Sequence, residues 1–87
     1  MVSEKVTITN EQGMHMRPAS VMSQTMTPFV SNVKIVFNGN EYDAKSVMML
    51  MTACMKCGSE IEIKCDGPDE KEALDAAVKI VKSGLGD

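Results

Sequence analysis

His15 and Arg17 are the residues whose types and spacing could do chemistry. They lie in Gly13-Met14-His15-Met16-Arg17-Pro18-Ala19-Ser20, and they are the only histidine and the only arginine of the chain. A neutral imidazole is a good nucleophile near neutral pH and can take up a phosphoryl group. The P–N bond so formed is labile, which suits a group that must be given away again. The segment before His15 reads as strand-like and the segment after it as helix-like. The first turn of a helix carries unsatisfied N–H groups and the positive end of the macrodipole, a ready site for phosphoryl oxygens. Met16 and Arg17 are the positions that would hold that group. Arg17 adds a fixed positive charge whose fork matches phosphate. Pro18 fits the first helical turn, where its missing N–H costs nothing. Gly13 allows a tight backbone turn ahead of the histidine.

The elements that must position these residues follow from periodicity. Val6 and Ile8 alternate with Lys5, Thr7 and Thr9, which predicts a half-buried strand over 2–9. Residues 10–13 read as a turn. Ala19, Met22 and Met26 recur at helical spacing, so a helix runs to about Thr27 and Pro28 closes it. Residues 33–37 are β-rich, and Asn38-Gly39-Asn40 signals a hairpin with a short return strand over 41–44. Ser46 is a helix N-cap candidate. In the next segment Val47, Leu50, Met51 and Cys54 share one helical stripe, while Met48, Met51 and Met55 share another. So small a domain cannot bury both stripes, so part of this surface is expected to be exposed. Ile61 and Ile63 alternate with charged residues in a last strand ending at Cys65. Residues 66–68 form a turn. Asp69 is the N-cap candidate for a final helix that buries Ala73, Leu74, Ala77, Val78, Ile80 and Val81 and stops at Gly84. The order β-α-β-β-α-β-α predicts an α+β fold: an antiparallel sheet with helices packed on one face.

Size and composition bound the function. A chain of 87 residues is expected to form one domain, 1–87, with a modest core and no deep active-site cavity. A net charge of -3 with 24% charged residues argues against a nucleic-acid footprint. No apolar run approaches a membrane span and no signal peptide is read, so the expected location is cytoplasmic. The three cysteines are an odd number, which argues for reduced thiols over a disulfide framework. The nine methionines are unusual at this length. Met is flexible, polarizable and able to re-pack against different partners.

The octet around His15 resembles the active-site signature of the HPr family, the histidine-containing phosphocarriers of the bacterial sugar phosphotransferase system. A second block, Lys45-Ser46-Val47-Met48-Met49-Leu50-Met51, resembles that family's regulatory serine and short apolar helix. The spacing of the two blocks, the length and the Gly-Leu-Gly-Asp end also match. The resemblance implies an open-faced β-sandwich, a four-stranded antiparallel sheet covered on one face by three helices. It implies a carrier with a transient phosphohistidine rather than a stand-alone enzyme, needing neither metal nor organic cofactor. His15 would accept the phosphoryl group on Nδ1 from enzyme I, charged from phosphoenolpyruvate, and pass it to sugar-specific enzyme IIA domains. Arg17 would stabilise charge during transfer.

Ser46 would be phosphorylated by an ATP-dependent HPr kinase/phosphorylase, and the modified protein would engage a catabolite-control transcription regulator. Helix capping alone also accounts for this serine. The partner-binding face would comprise Met16, Ser20, Val47, Met48, Met51 and Met55, while Leu50 belongs to the core and Met51 is shared between the two. A monomer is expected, because one site must be open to many partners.

Two other readings stand beside the carrier. One is a regulatory relative acting mainly through Ser46. The other is a small metal or redox module built on Cys54, Cys57 and Cys65. Cys54 and Cys57 form a C-x-x-C, but the spacing falls within or at the end of a helix rather than in a loop beside a strand. Met16, Met49 and Cys54 stand where the family commonly has small residues. These replacements bear on partner choice more than on phosphorylation.

Overall fold

Alternation along the strands decides which side of the sheet is covered. The fold is described by a computed structural model covering residues 1–11, 13–53 and 55–85. Its elements are β1 (Val2–Thr7), α1 (Met16–Met26), β2 (Asn32–Phe37), β3 (Asn40–Asp43), α2 (Val47–Thr52), β4 (Glu60–Asp66) and α3 (Glu70–Lys82). The four strands form one sheet in the order β1-β4-β2-β3, and every pairing is antiparallel. This is the expected α+β architecture.

Register places the apolar positions on one face. Val6 opposes Ile61, while Ile35 opposes Ile63 and Val33 opposes Cys65. All six are buried. The intervening pairs, Lys5 with Glu62 and Lys34 with Lys64, lie on the opposite face. Lys64 is joined there by Glu41 at 3.5 Å. The helices supply the other half of the core. Ala19, Met22 and Met26 come from α1, Leu50 from α2, and Ala73, Ala77, Val78 and Val81 from α3. Leu74 and Ile80 are half-buried at the margin rather than fully inside.

Local signals explain most boundaries. Asn38 and Gly39 adopt φ of 52° and 78°, as a two-residue type I′ hairpin requires. Ser46 caps α2, its Oγ accepting from the Met49 N–H at 3.3 Å. Beyond α3 the chain reverses with Gly84 at φ 92°, and the Leu85 N–H closes onto the Ile80 carbonyl at 2.9 Å.

Asp69 departs from expectation. It occupies the N-cap position of α3 but makes no side-chain capping bond. Its carboxylate instead accepts from the Val30 N–H and from the N–H and hydroxyl of Ser31. It thus fixes the loop between α1 and β2, a job that involves residues 38–39 positions away. The Ser31 hydroxyl first, and then the Val30 N–H, hold the Asp69 carboxyl down at about 2, from an ordinary 3.8. Because the folded value is depressed, this group's contribution is fully present above the ordinary carboxylate range. It is lost as pH falls through about 2. Asp69→Asn should therefore lower Tm at neutral pH, and the gap from wild type should narrow below pH about 4. Melting curves between neutral pH and strong acid check this, and a gap that stays constant would remove the carboxylate from the account.

Candidate functional site

The His15 loop is held from below by the chain that follows α2. Gly13 has φ 69°, and a Cβ built there would lie 2.3 Å from the Met55 carbonyl oxygen. That carbonyl accepts the Met14 N–H at 2.7 Å. Asn10, also buried, closes the turn from the other side. Its carbonyl accepts the Gly13 N–H at 3.0 Å, and its Nδ2 donates to the Gly13 carbonyl at 2.6 Å. Two further bonds zip the flanks, Ile8 N–H to the Ser59 carbonyl at 2.9 Å and Gly58 N–H to the Ile8 carbonyl at 2.8 Å. The lock between Gly13 and Met55 is invisible in the sequence, because it joins segments 42 positions apart. Asn10 lies three residues ahead of Gly13, and that spacing was its only local signal.

His15 then stands at the N-cap of α1 in extended conformation, with φ -103° and ψ -164°, and its side chain makes no capping bond. The ring is half-buried. The Ala19 N–H is spent on the His15 carbonyl at 2.9 Å, and Pro18 has no N–H. Among the described residues, the helix-start donors left without a backbone acceptor are the amides of Met16 and Arg17, and the first turn carries no acidic side chain. Such a turn favours an anion beside the imidazole. Arg17 is exposed and Pro18 buried, so the proline anchors the turn while the guanidinium stays in solvent. These positions are the ones the sequence picked out.

The second block lies on the neighbouring helix, which packs on α1. The Ser23 hydroxyl of α1 donates to the Lys45 carbonyl at 2.7 Å, tying α1 to the residue just before Ser46. A serine in mid-helix gave no sign of this. The Ser46 N–H donates to the Asp43 carbonyl at 3.0 Å. Met16 is 65% and Met48 78% exposed, and Met49 and Met51 are also exposed. Val47 and Ser20 are half-buried, and Leu50 is fully inside. Met49, which the sequence reading leaves off the expected partner face, is exposed beside Met48 and Met51.

Met55 is a correction. The helical spacing of the sequence puts it on the partner-binding face, but it is 2% exposed. The reason is that α2 ends at Thr52, so the helical stripe does not reach position 55. The chain instead turns beneath the His15 loop. Met55→Ala should cost about 2–4 kcal/mol, as for a buried Met. Met48→Ala should cost less than about 0.5 kcal/mol. Urea denaturation of both variants checks the pair, and equal costs would contradict the assignment.

Cys54 lies outside the described residues. Cys57 is exposed and Cys65 buried, both as free thiols. Burial, and then the carboxylates of Glu70 and Asp69, push the Cys65 thiol above its ordinary range, which disfavours the reactive thiolate. Among the described residues no group of three or more His, Cys, Asp or Glu is placed to hold a metal ion. Nor, among them, is any helix long and apolar enough to cross a membrane.

Comparison with known proteins agrees with this geometry. The family profile described as "PTS HPr component phosphorylation site" matches residues 2–83. The phosphocarrier protein HPr of Cupriavidus necator is 38% identical over 87 residues, covering 100% of this chain and 98% of that protein. The crystal structure of HPr-C-His from Thermoanaerobacter tengcongensis superposes with a TM-score of 0.95 at 31% identity, covering 100% of this chain and 98% of that one. The HPr dimer from the same organism superposes at 0.79 with the same 31% identity, covering 100% of both chains. With a profile match over nearly the whole length, a relative similar from end to end and the same arrangement of strands and helices, this chain belongs to the HPr family of phosphotransferase-system phosphocarriers.

Proposed function

We propose that His15 accepts the phosphoryl group from enzyme I and hands it to enzyme IIA domains. The observation that carries this is the placement of His15 at the start of α1, with the Met16 and Arg17 amides as the donors left there. In each handover the attacking imidazole nitrogen forms its bond to phosphorus as the bond to the donor imidazole breaks. The two nitrogens lie roughly in line, and the charge spreads over the equatorial oxygens. The helix-start amides and the Arg17 guanidinium receive that charge, while Asn10, Gly13 and Met55 hold the loop so that little reorganisation is needed. Met16, Met48, Met49 and Met51 provide the apolar face against which different partners re-pack.

Incubation with enzyme I and phosphoenolpyruvate, read by intact mass, tests this reading. One acid-labile phosphoryl group per chain supports it. No label with a working enzyme I would reject it.

Ser46 fits a regulatory role in the same protein. It begins α2 at half-exposure and its Oγ holds the Met49 N–H only loosely, at 3.3 Å. A phosphate there gains acceptor oxygens at a helix start and puts charge beside the apolar face. The kinase and a catabolite-control regulator would be the partners of that form. Ser46→Asp should slow phosphorylation by enzyme I about tenfold through charge repulsion at the docking face, with folding unchanged. An unaltered rate would remove the regulatory role.

We assign the carrier to the cytoplasm, where enzyme I and the IIA domains meet it, and to a single 1–87 domain acting as a monomer. A single acceptor site that must stay open to several partners in turn supports the monomer.

A further inference from the structure

The nine methionines fall into two sets. Met14, Met22, Met26 and Met55 are at most 4% exposed, whereas Met1, Met16, Met48, Met49 and Met51 reach solvent. Met1 apart, the exposed set sits on two packed helices, Met16 opening α1 and the other three within α2. Met16 is also the residue bonded to His15. The thioethers open to reagents are thus those of the proposed docking face, and the ones shielded are those of the core.

We propose that Met48 and Met16 form a peroxide-sensitive modification site whose oxidation turns down partner docking; the inference rests on the carrier reading above. In the step, a lone pair on the Met sulfur attacks one oxygen of hydrogen peroxide. The S–O bond forms as the O–O bond breaks. Sulfur loses two electrons, the peroxide gains them, and the displaced oxygen takes the proton from the sulfur-bound oxygen and leaves as water. The product carries a strong acceptor oxygen on an apolar surface. When a partner covers that surface the oxygen must shed its water, which is costly unless it finds a donor. The four buried methionines are protected by the core, so the fold outlasts the modification. A thiol-dependent sulfoxide reductase reverses the step.

The test treats the full chain with hydrogen peroxide and then with dithiothreitol, which returns disulfides and sulfenic acids to thiols. Peptide mass mapping locates each gain of about 16 Da, and steady-state kinetics follow enzyme I-dependent phosphorylation. Met48 and Met16 should be oxidised before Met14, Met22, Met26 or Met55. The KM for the carrier should rise roughly fivefold or more while the melting curve stays unchanged, and sulfoxide reductase should restore it. A Met16→Leu, Met48→Leu double variant, referred to its own untreated rate, should lose most of the response. Three results would overturn the inference. These are first oxidation of the buried set, an unchanged KM with Met48 and Met16 fully oxidised, and a full response persisting in the double variant, which would place the effect on the cysteines. An untreated chain that accepts no phosphoryl group overturns the carrier reading itself, and the inference with it.

Discussion

His15→Ala should accept no phosphoryl group from enzyme I and phosphoenolpyruvate, yet fold as wild type. The chain has no second histidine to take over, so the loss should be complete rather than graded. Stability should change by less than about 1 kcal/mol, because the His15 side chain makes no capping bond and the ring is half in solvent. Intact mass reads the first claim and thermal denaturation the second. A residual acid-labile label would move the acceptor elsewhere. A fall of several kcal/mol would make His15 a structural residue and leave the lost label uninformative.

The second large effect belongs to a residue without a side chain. Gly13→Ala should destabilise the protein by about 2–4 kcal/mol and lower the rate of phosphorylation at least about tenfold. An Ala at φ 69° already costs about 1–2 kcal/mol. Its Cβ would also sit 2.3 Å from the Met55 carbonyl and 2.7 Å from the Lys56 Cα, both backbone atoms that no rotamer change can move aside. The Met14 to Met55 bond must open to relieve the collision, and His15 follows because its N–H rests on the Gly13 carbonyl. Gly39→Ala is the control. It shares the positive φ, at 78°, but a Cβ there meets nothing within 4 Å, so it should cost only about 1 kcal/mol. If the two variants lose stability equally, backbone conformation alone explains Gly13 and the lock to Met55 contributes nothing.

These two residues mark what sequence reasoning reached and where it stopped. The hairpin at Asn38-Gly39, the cap at Ser46 and the buried stripe Ala19, Met22, Met26 were legible because each depends on residues within one or two turns. The placement of His15, Met16 and Arg17 at the start of α1 was legible for the same reason, since a helix start is set locally. Gly13 was read as a turn residue, but its partner was hidden, because Met55 reaches it only after the sheet has closed. The same hidden contact misplaced Met55 itself. A helical stripe extrapolated past Thr52 put it outside, while the loop above pulled it in. Asp69 failed in the same way. The residue type suits a cap, and the choice between capping α3 and holding Val30 and Ser31 depends on a loop from the other half of the chain.

The central place of β4 has a consequence for the order in which the protein comes into being. β4 joins β1 to β2, and the segment leading into it, residues 55–59, supplies the floor of the His15 loop. A chain emerging from the ribosome therefore carries His15 long before it carries the loop that holds it. Until β4 arrives, β1 has no neighbour and Gly13 has nothing to rest on. The His15 loop is completed late, when a non-local pairing closes the sheet. With His15 as the proposed acceptor, half-made chains would then be silent bystanders to the phosphoryl relay, unable to drain it.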